Sequence, residues 1–224
     1  MGMLSRLEDA VEFAENPEPR CPCVLLLDTS GSMQGDPLNA MLQGLEAFRF
    51  DLAVDPLAAR RVEIAVVTFD SQVRIVHDFT PPDRFDVPVL TAQGLTHMGG
   101  AIHRALEMVE ERKARYRQFG VAYYRPWIFM VTDGEPQGET PDVVQRAAMR
   151  IREAEARKAV AFFAVGVENA NLETLGQIAV RQPLRLKGLD FREMFVWLSR
   201  SMQSVAHSRP DEQVKLAPTG WASL

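Results

Sequence analysis

Three short segments of this chain carry the residue types of a cation site. Asp28-Thr29-Ser30-Gly31-Ser32 sets a carboxylate and two hydroxyls at alternate positions. Gly94-Leu95-Thr96-His97-Met98-Gly99-Gly100 adds the hydroxyl of Thr96, and Asp133-Gly134-Glu135-Pro136 adds a second carboxylate. All of these donors are oxygens. Hard oxygen ligands with few charges suit Mg²⁺ or Mn²⁺. Asp28, Ser30 and Ser32 could project around one ion if their loop curls, and Gly31 would let the backbone bend there without a Cβ clash. Mg²⁺ asks for near-octahedral geometry at about 2.0–2.1 Å and gives up water reluctantly.

The elements that must position these loops follow from the apolar pattern. Cys23 to Leu27 is a continuous apolar run, the signature of a strand buried on both faces. Trp127 to Thr132 and Val160 to Val167 read the same way. Residues 62–69 and 72–79 are separated only by Asp70-Ser71 and predict an antiparallel hairpin. Helices are predicted from Asp36-Pro37 onward, over about Gly99 to Arg117, after Thr140-Pro141, over Asn171 to Ile178, and from Asp190 with Glu193 as its reciprocal cap. Residues 183–187 suit a last edge strand. Alternation of this kind predicts an α/β fold: a doubly wound, mostly parallel sheet with one antiparallel edge strand and helices on both faces. Ligands of such sheets bind beyond the carboxyl ends of the strands, where the three oxygen-rich loops fall.

Residues 1–20 read as an extension, with a helix over 4–15 broken by Asn16-Pro17-Glu18-Pro19. The domain proper spans 21–206, and 207–224, with Pro210, Asp211, Glu212, Pro218 and Gly220, reads as a flexible tail. The chain has 224 residues, 25 Lys plus Arg and 30 Asp plus Glu, for a net charge of −5. That balance argues against nucleic acid as the main partner. No apolar run approaches a membrane span, and the charged N-terminus is unlike a signal peptide, so a cytoplasmic setting is expected. Cys21 and Cys23 cannot make a disulfide framework and read as reduced, buried thiols.

The order Asp28-Thr29-Ser30-Gly31-Ser32-Met33, then Thr96, then Asp133-Gly134 resembles the metal-ion-dependent adhesion site of von Willebrand factor A domains. The likeness covers roughly residues 22 to 205. It implies a non-enzymatic, protein-binding module. Ser30 and Ser32 would ligate Mg²⁺ (or Mn²⁺ or Ca²⁺) directly and Thr96 directly or through water. Asp28 and Asp133 would hold the ion largely through water. A partner's Asp or Glu would complete the coordination. LLLDTSGSM, TFDS, VTDGEP and KGLDFREMFVWLSRSM are most similar to the TerY-like branch. That resemblance implies tellurium-resistance, stress or defence signalling, with an operon-linked kinase or phosphatase as partner.

Two other functions are weighed against this one. A phosphohydrolase using Asp28 as nucleophile would need a second acid/base Asp where Ser30 stands, and serine does not shuttle protons without an activating base. A subunit of an ATP-driven chelatase-like complex would need its ATPase on another chain, since no G-x-x-x-x-G-K-[ST] motif is present. Plainer roles are expected elsewhere. Asp70-Ser71 is a turn, His97 a rim residue and Glu135 a solvated loop carboxylate. Arg112, Lys113, Arg115 and Arg117 read as a solvated helix end, with a phosphoprotein-binding patch as the lesser alternative.

Overall fold

The computed structural model describes residues 11–167 and 170–223. A seven-stranded sheet runs through its centre in the order β3-β2-β1-β4-β5-β6-β7. The strands are β1 (Cys21–Asp28), β2 (Val62–Phe69), β3 (Val73–Thr80), β4 (Trp127–Thr132), β5 (Ala161–Gly166), β6 (Leu184–Leu186) and β7 (Ala222–Ser223). β1 pairs in parallel with β2 and β4, and β4–β5 and β5–β6 are parallel as well. β3 lies antiparallel on β2, as the short Asp70-Ser71 connection predicts. The two-residue β7 adds a second antiparallel edge against β6.

The helices are α1 (Asp36–Val54), α2 (Ala58–Arg61), α3 (Met98–Gln118), α4 (Pro141–Ala156), α5 (Leu172–Ile178) and α6 (Phe191–Ala206). Side chains alternate across a strand, so β1 feeds two cores at once. Cys23, Leu25 and Leu27 face α1 and α6, among Leu45, Phe48, Phe195 and Leu198. Val24 and Leu26 face α3 and α4, among Ile102, Leu106, Ala147 and Ile151. Among the described residues no helix is long and apolar enough to cross a membrane.

Several local expectations need correction. Asp36 is the first helical residue of α1 and Gly35 takes the cap position, so Asp36 acts through its charge in the first turn. Thr140 precedes α4 without a side-chain cap bond. Asp190 holds the cap position of α6, but its ψ of 47° lies outside the extended region a capping side chain uses, and no reciprocal bond with Glu193 forms.

Arg112 is not part of a solvated helix end. It is buried, and its guanidinium donates to both carboxylate oxygens of Glu63 at 2.9 and 2.8 Å. Glu63 sits on β2 directly under α3, and a buried carboxylate needs partners. Arg20 supplies a second cation at 2.9 Å, and Tyr116 donates its hydroxyl to the same carboxylate. Glu12 and Phe13 tie residues 11–15 to this cluster: Glu12 accepts from Arg112, and the Phe13 ring packs edge-on to Tyr116. These five residues are helical; the rest of the helix predicted over 4–15 falls outside the described residues.

The end of the tail does not lie loose. Trp221 is buried and meets Trp197 at a centroid distance of 5.6 Å and 62° between planes. Trp197 Nε1 donates to the carbonyl of Ala217, and Lys187 N donates to that of Trp221. One large aromatic outweighs the surrounding prolines and charges, because its burial contributes on the order of 2–3 kcal/mol.

Candidate metal centre

Strand order reverses between β1 and β4, and the crevice beyond their carboxyl ends is where α/β sheets bind ligands. Asp28 ends β1 and Thr132 ends β4. The Thr132 hydroxyl donates to Asp28 Oδ2, while Ser30 N donates to Asp28 Oδ1 at 2.8 Å. Asp28 is fully buried. Burial pushes its carboxyl up from 3.8 to about 6, against the hydrogen bonds from Ser30 and Thr132 and with help from the nearby charge of Asp133. An acid held in so unfavourable a place gains from a cation beside it.

From Ser30 the oxygens continue toward the surface. Ser30 Oγ lies 3.0 Å from Ser32 Oγ, and Ser32 Oγ donates to Asp133 Oδ1 at 2.9 Å. Adjacent ligands of an octahedral ion, each at about 2.1 Å, stand about 3.0 Å apart. The Ser30 and Ser32 hydroxyls therefore already have the spacing of neighbouring ligands, Asp133 is hydrogen-bonded to Ser32 beside them, and the donor set fits a hard divalent ion.

Thr96 reaches the same crevice on its own loop. Its backbone exchanges two hydrogen bonds with Gln137, at 3.3 and 3.0 Å, and its Oγ1 faces Gly134. Asp28, Ser30, Ser32 and Asp133 are thus joined by hydrogen bonds, directly or through Thr132, and Thr96, on the β3–α3 loop, is held beside them by its backbone pairing with Gln137 of the β4–α4 loop. Gly31 serves differently from expectation. A side chain there would meet only ordinary contact at 3.5 Å from the Gly94 carbonyl, and what the structure uses is its N–H, which donates to that carbonyl.

Sequence reasoning passed over the residues that aim the Thr96 loop. Asp70 and Ser71 do more than turn the hairpin: Ser71 Oγ accepts from Leu95 N at 2.9 Å, and the Asp70 carbonyl accepts from His97 N. Glu139 accepts from Gly99 N and Gly100 N, both at 2.7 Å, and so caps α3 from across the crevice. A capping carboxylate 40 positions downstream leaves no local signal. Glu135 is exposed, as expected of a solvated loop carboxylate, and accepts from Asn171 Nδ2. His97 lies with its ring against Gly138. Cys21 and Cys23 are fully buried on β1, and burial, with Glu63 nearby, raises the Cys21 thiol to about 12.

The profile of the von Willebrand factor type A domain matches residues 23–184. This chain belongs to the von Willebrand factor type A (VWA) domain family. Solved structures similar to this VWA domain include the von Willebrand factor type A protein from Catenulispora acidiphila, at 19% identity and a TM-score of 0.65, covering 83% of this chain and 43% of that one. The ArnB paralog VWA2 from Sulfolobus acidocaldarius is similar at 15% identity and a TM-score of 0.54, over 82% and 45% of the two chains. Proximal thread matrix protein 1 of the mussel byssus, solved with a zinc-occupied MIDAS motif, is similar at 18% identity and 0.53, over 85% and 46%. At these identities the likeness is one of fold, and this chain spans less than half the length of each of the three. No curated protein matches its sequence.

Proposed function

We propose that this VWA domain is a divalent-cation-dependent protein-binding module, with Asp28, Ser30, Ser32, Thr96 and Asp133 as its metal-ion-dependent adhesion site. The observation that carries this reading is the row of oxygens at 3.0 and 2.9 Å from Ser30 through Ser32 to Asp133, backed by the buried Asp28. Ser30, Ser32 and Thr96 would hold the ion by their hydroxyls. Asp28 and Asp133 would supply charge, largely through water. The all-oxygen set favours Mg²⁺ or Mn²⁺, with Ca²⁺ as the larger alternative.

When bound, the cation offers an electrophilic position to an acidic side chain of a partner. The protein's own residues set the orientation of that position and carry out no bond cleavage. The resemblance of LLLDTSGSM, VTDGEP and KGLDFREMFVWLSRSM to TerY-like sequences supports, in this reading, a partner among cytoplasmic stress or defence proteins, with a kinase or phosphatase encoded nearby.

Affinity capture from the native host tests the proposal. Wild-type protein with Mg²⁺ is expected to retain a partner that EDTA releases and Asp28→Ala does not recover. Equal recovery by wild type and variant, with or without metal, would overturn it.

A further inference from the structure

At the opposite end of the sheet from Asp28, a groove of about 890 Å³ opens beside Trp127 and Ala161, the first residues of β4 and β5. Six cationic side chains line it: Lys113, Arg117, Arg125, Arg157, Lys158 and Arg181. This concentration stands out in a chain whose net charge is −5. Three of the six are answered by carboxylates: Lys113 by Glu110, and Arg125 and Arg181 by Glu155. Arg117, Arg157 and Lys158 are exposed and form no ion pair among the described residues. Arg181 lies over the Phe163 ring at 5.1 Å, and Tyr123 and Trp127 add aromatic surface, so the groove can hold a chain as well as a charge.

Pro210 to Val214 form one wall, and the carboxylates of Asp211 and Glu212 stand there without an ion pair to any described residue. A carboxylate-bearing segment, turned at Pro210 and Asp211 with Glu212 N donating to the Arg209 carbonyl, therefore already lines the rim, while Arg117, Arg157 and Lys158 have no carboxylate partner among the described residues. Guanidinium groups match carboxylates in two-pronged geometry, and a focused basic groove raises the encounter rate with an acidic ligand.

We infer that this groove is a second, metal-independent docking site for an Asp/Glu-rich peptide segment of a partner protein. A peptide is favoured over nucleic acid because the basic side chains are confined to one groove of a chain with a net charge of −5, where a nucleic acid needs a basic surface running along its backbone. With the crevice at Asp28 on the other end, the domain would present two acid-binding ends of different chemistry.

Fluorescence anisotropy with a labelled peptide of alternating Asp and Glu, added to the full chain in EDTA, tests the site apart from any metal. Binding is expected, weakening as salt rises. The triple variant Arg117→Gln/Arg157→Gln/Lys158→Asn should weaken it roughly tenfold or more, since three exposed charge contacts are removed. Asn is used at Lys158 because its φ of 54° is one that Asn tolerates. Asp28→Asn should bind the peptide as wild type does, so failure of the crevice and failure of the groove give different results. No binding in EDTA, or binding the triple variant leaves unchanged, overturns the inference. So does tighter binding of a single-stranded oligonucleotide of equal charge, which would make the groove a nucleic-acid site.

Discussion

Ser32 Oγ donates to Asp133 Oδ1 over 2.9 Å, joining loops 101 positions apart in the chain. The contact crosses from the end of β1 to the end of β4, over the point where the sheet reverses its winding. It is one side of the crevice, and its length is that of an ordinary hydrogen bond holding the Ser32 hydroxyl against the Asp133 carboxylate. Ser32 is exposed and supports no core, so in the proposed reading its contribution is to the metal site.

Ser32→Ala should therefore separate binding from folding. Mg²⁺ affinity is expected to fall roughly 10-fold or more, while unfolding free energy changes by less than about 0.5 kcal/mol. Isothermal titration and urea melts measure the two. Unchanged affinity would remove Ser32 from the ligand set.

Asp28 makes the metal-free protein sensitive to pH in a definite direction. Its folded carboxyl is raised to about 6 from 3.8, so between these values the folded state binds more protons than the unfolded one. Stability from this group falls as pH rises through that window, and the full cost, on the order of 3 kcal/mol, is present above pH 6. Asp28→Asn keeps the shape and removes the charge. It should stabilise the metal-free protein at pH 7 by about 1–3 kcal/mol and flatten the slope between pH 4 and 6. In wild type, the rise in Tm on adding Mg²⁺ should be larger at pH 7.5 than at pH 5, and in Asp28→Asn it should be absent. A metal-free variant no more stable than wild type at pH 7 would contradict the account.

Gly94 is the hinge of the Thr96 loop. Its φ is +73°, and a Cβ there would stand 2.5 Å from Ser71 Oγ, the atom that accepts from Leu95 N. Gly94→Ala meets both the backbone strain and the clash, and is expected to cost about 1–3 kcal/mol and to weaken Mg²⁺ binding by displacing Thr96. Ser71→Ala added to it relieves the clash and leaves the strain, so the double variant should recover part of the stability. Circular-dichroism melts of the two variants decide this, and full recovery in the double variant would show that φ is not the constraint.

The division between what the sequence discloses and what it conceals follows chemistry. Cys23 to Leu27 and Trp127 to Thr132 announce themselves because strands buried on both faces must be continuously apolar. That Asp28, Ser30, Ser32 and Asp133 fall at the carboxyl ends of β1 and β4 is legible because continuous apolar runs stop just before them; the hydrogen bonds that gather them into one row are not. Arg112 and Glu63 are hidden for the converse reason: in sequence each is an ordinary charge, and only the crossing of α3 over β2 makes them a buried pair. Trp221 is hidden because one aromatic in a polar tail has no periodicity, and Ser71 because a turn residue's side chain can reach a loop 24 positions away.

Glu139 poses the sharpest test of how the crevice is held. Its two oxygens accept from Gly99 N and Gly100 N, at the start of a 21-residue helix whose N-terminal dipole favours negative charge. The same loop carries Gln137, whose backbone pairs with Thr96. One carboxylate thus fixes the β4–α4 loop to α3 and, through it, the spacing of Thr96 from Asp133. Glu139→Gln retains one acceptor, turns an amide toward the other N–H and removes the charge. A loss of about 1–3 kcal/mol is expected in urea unfolding, with a further fall in Mg²⁺ affinity although Glu139 is not itself a proposed ligand. If stability drops and affinity does not, the cap supports the helix alone and Thr96 is held by other contacts.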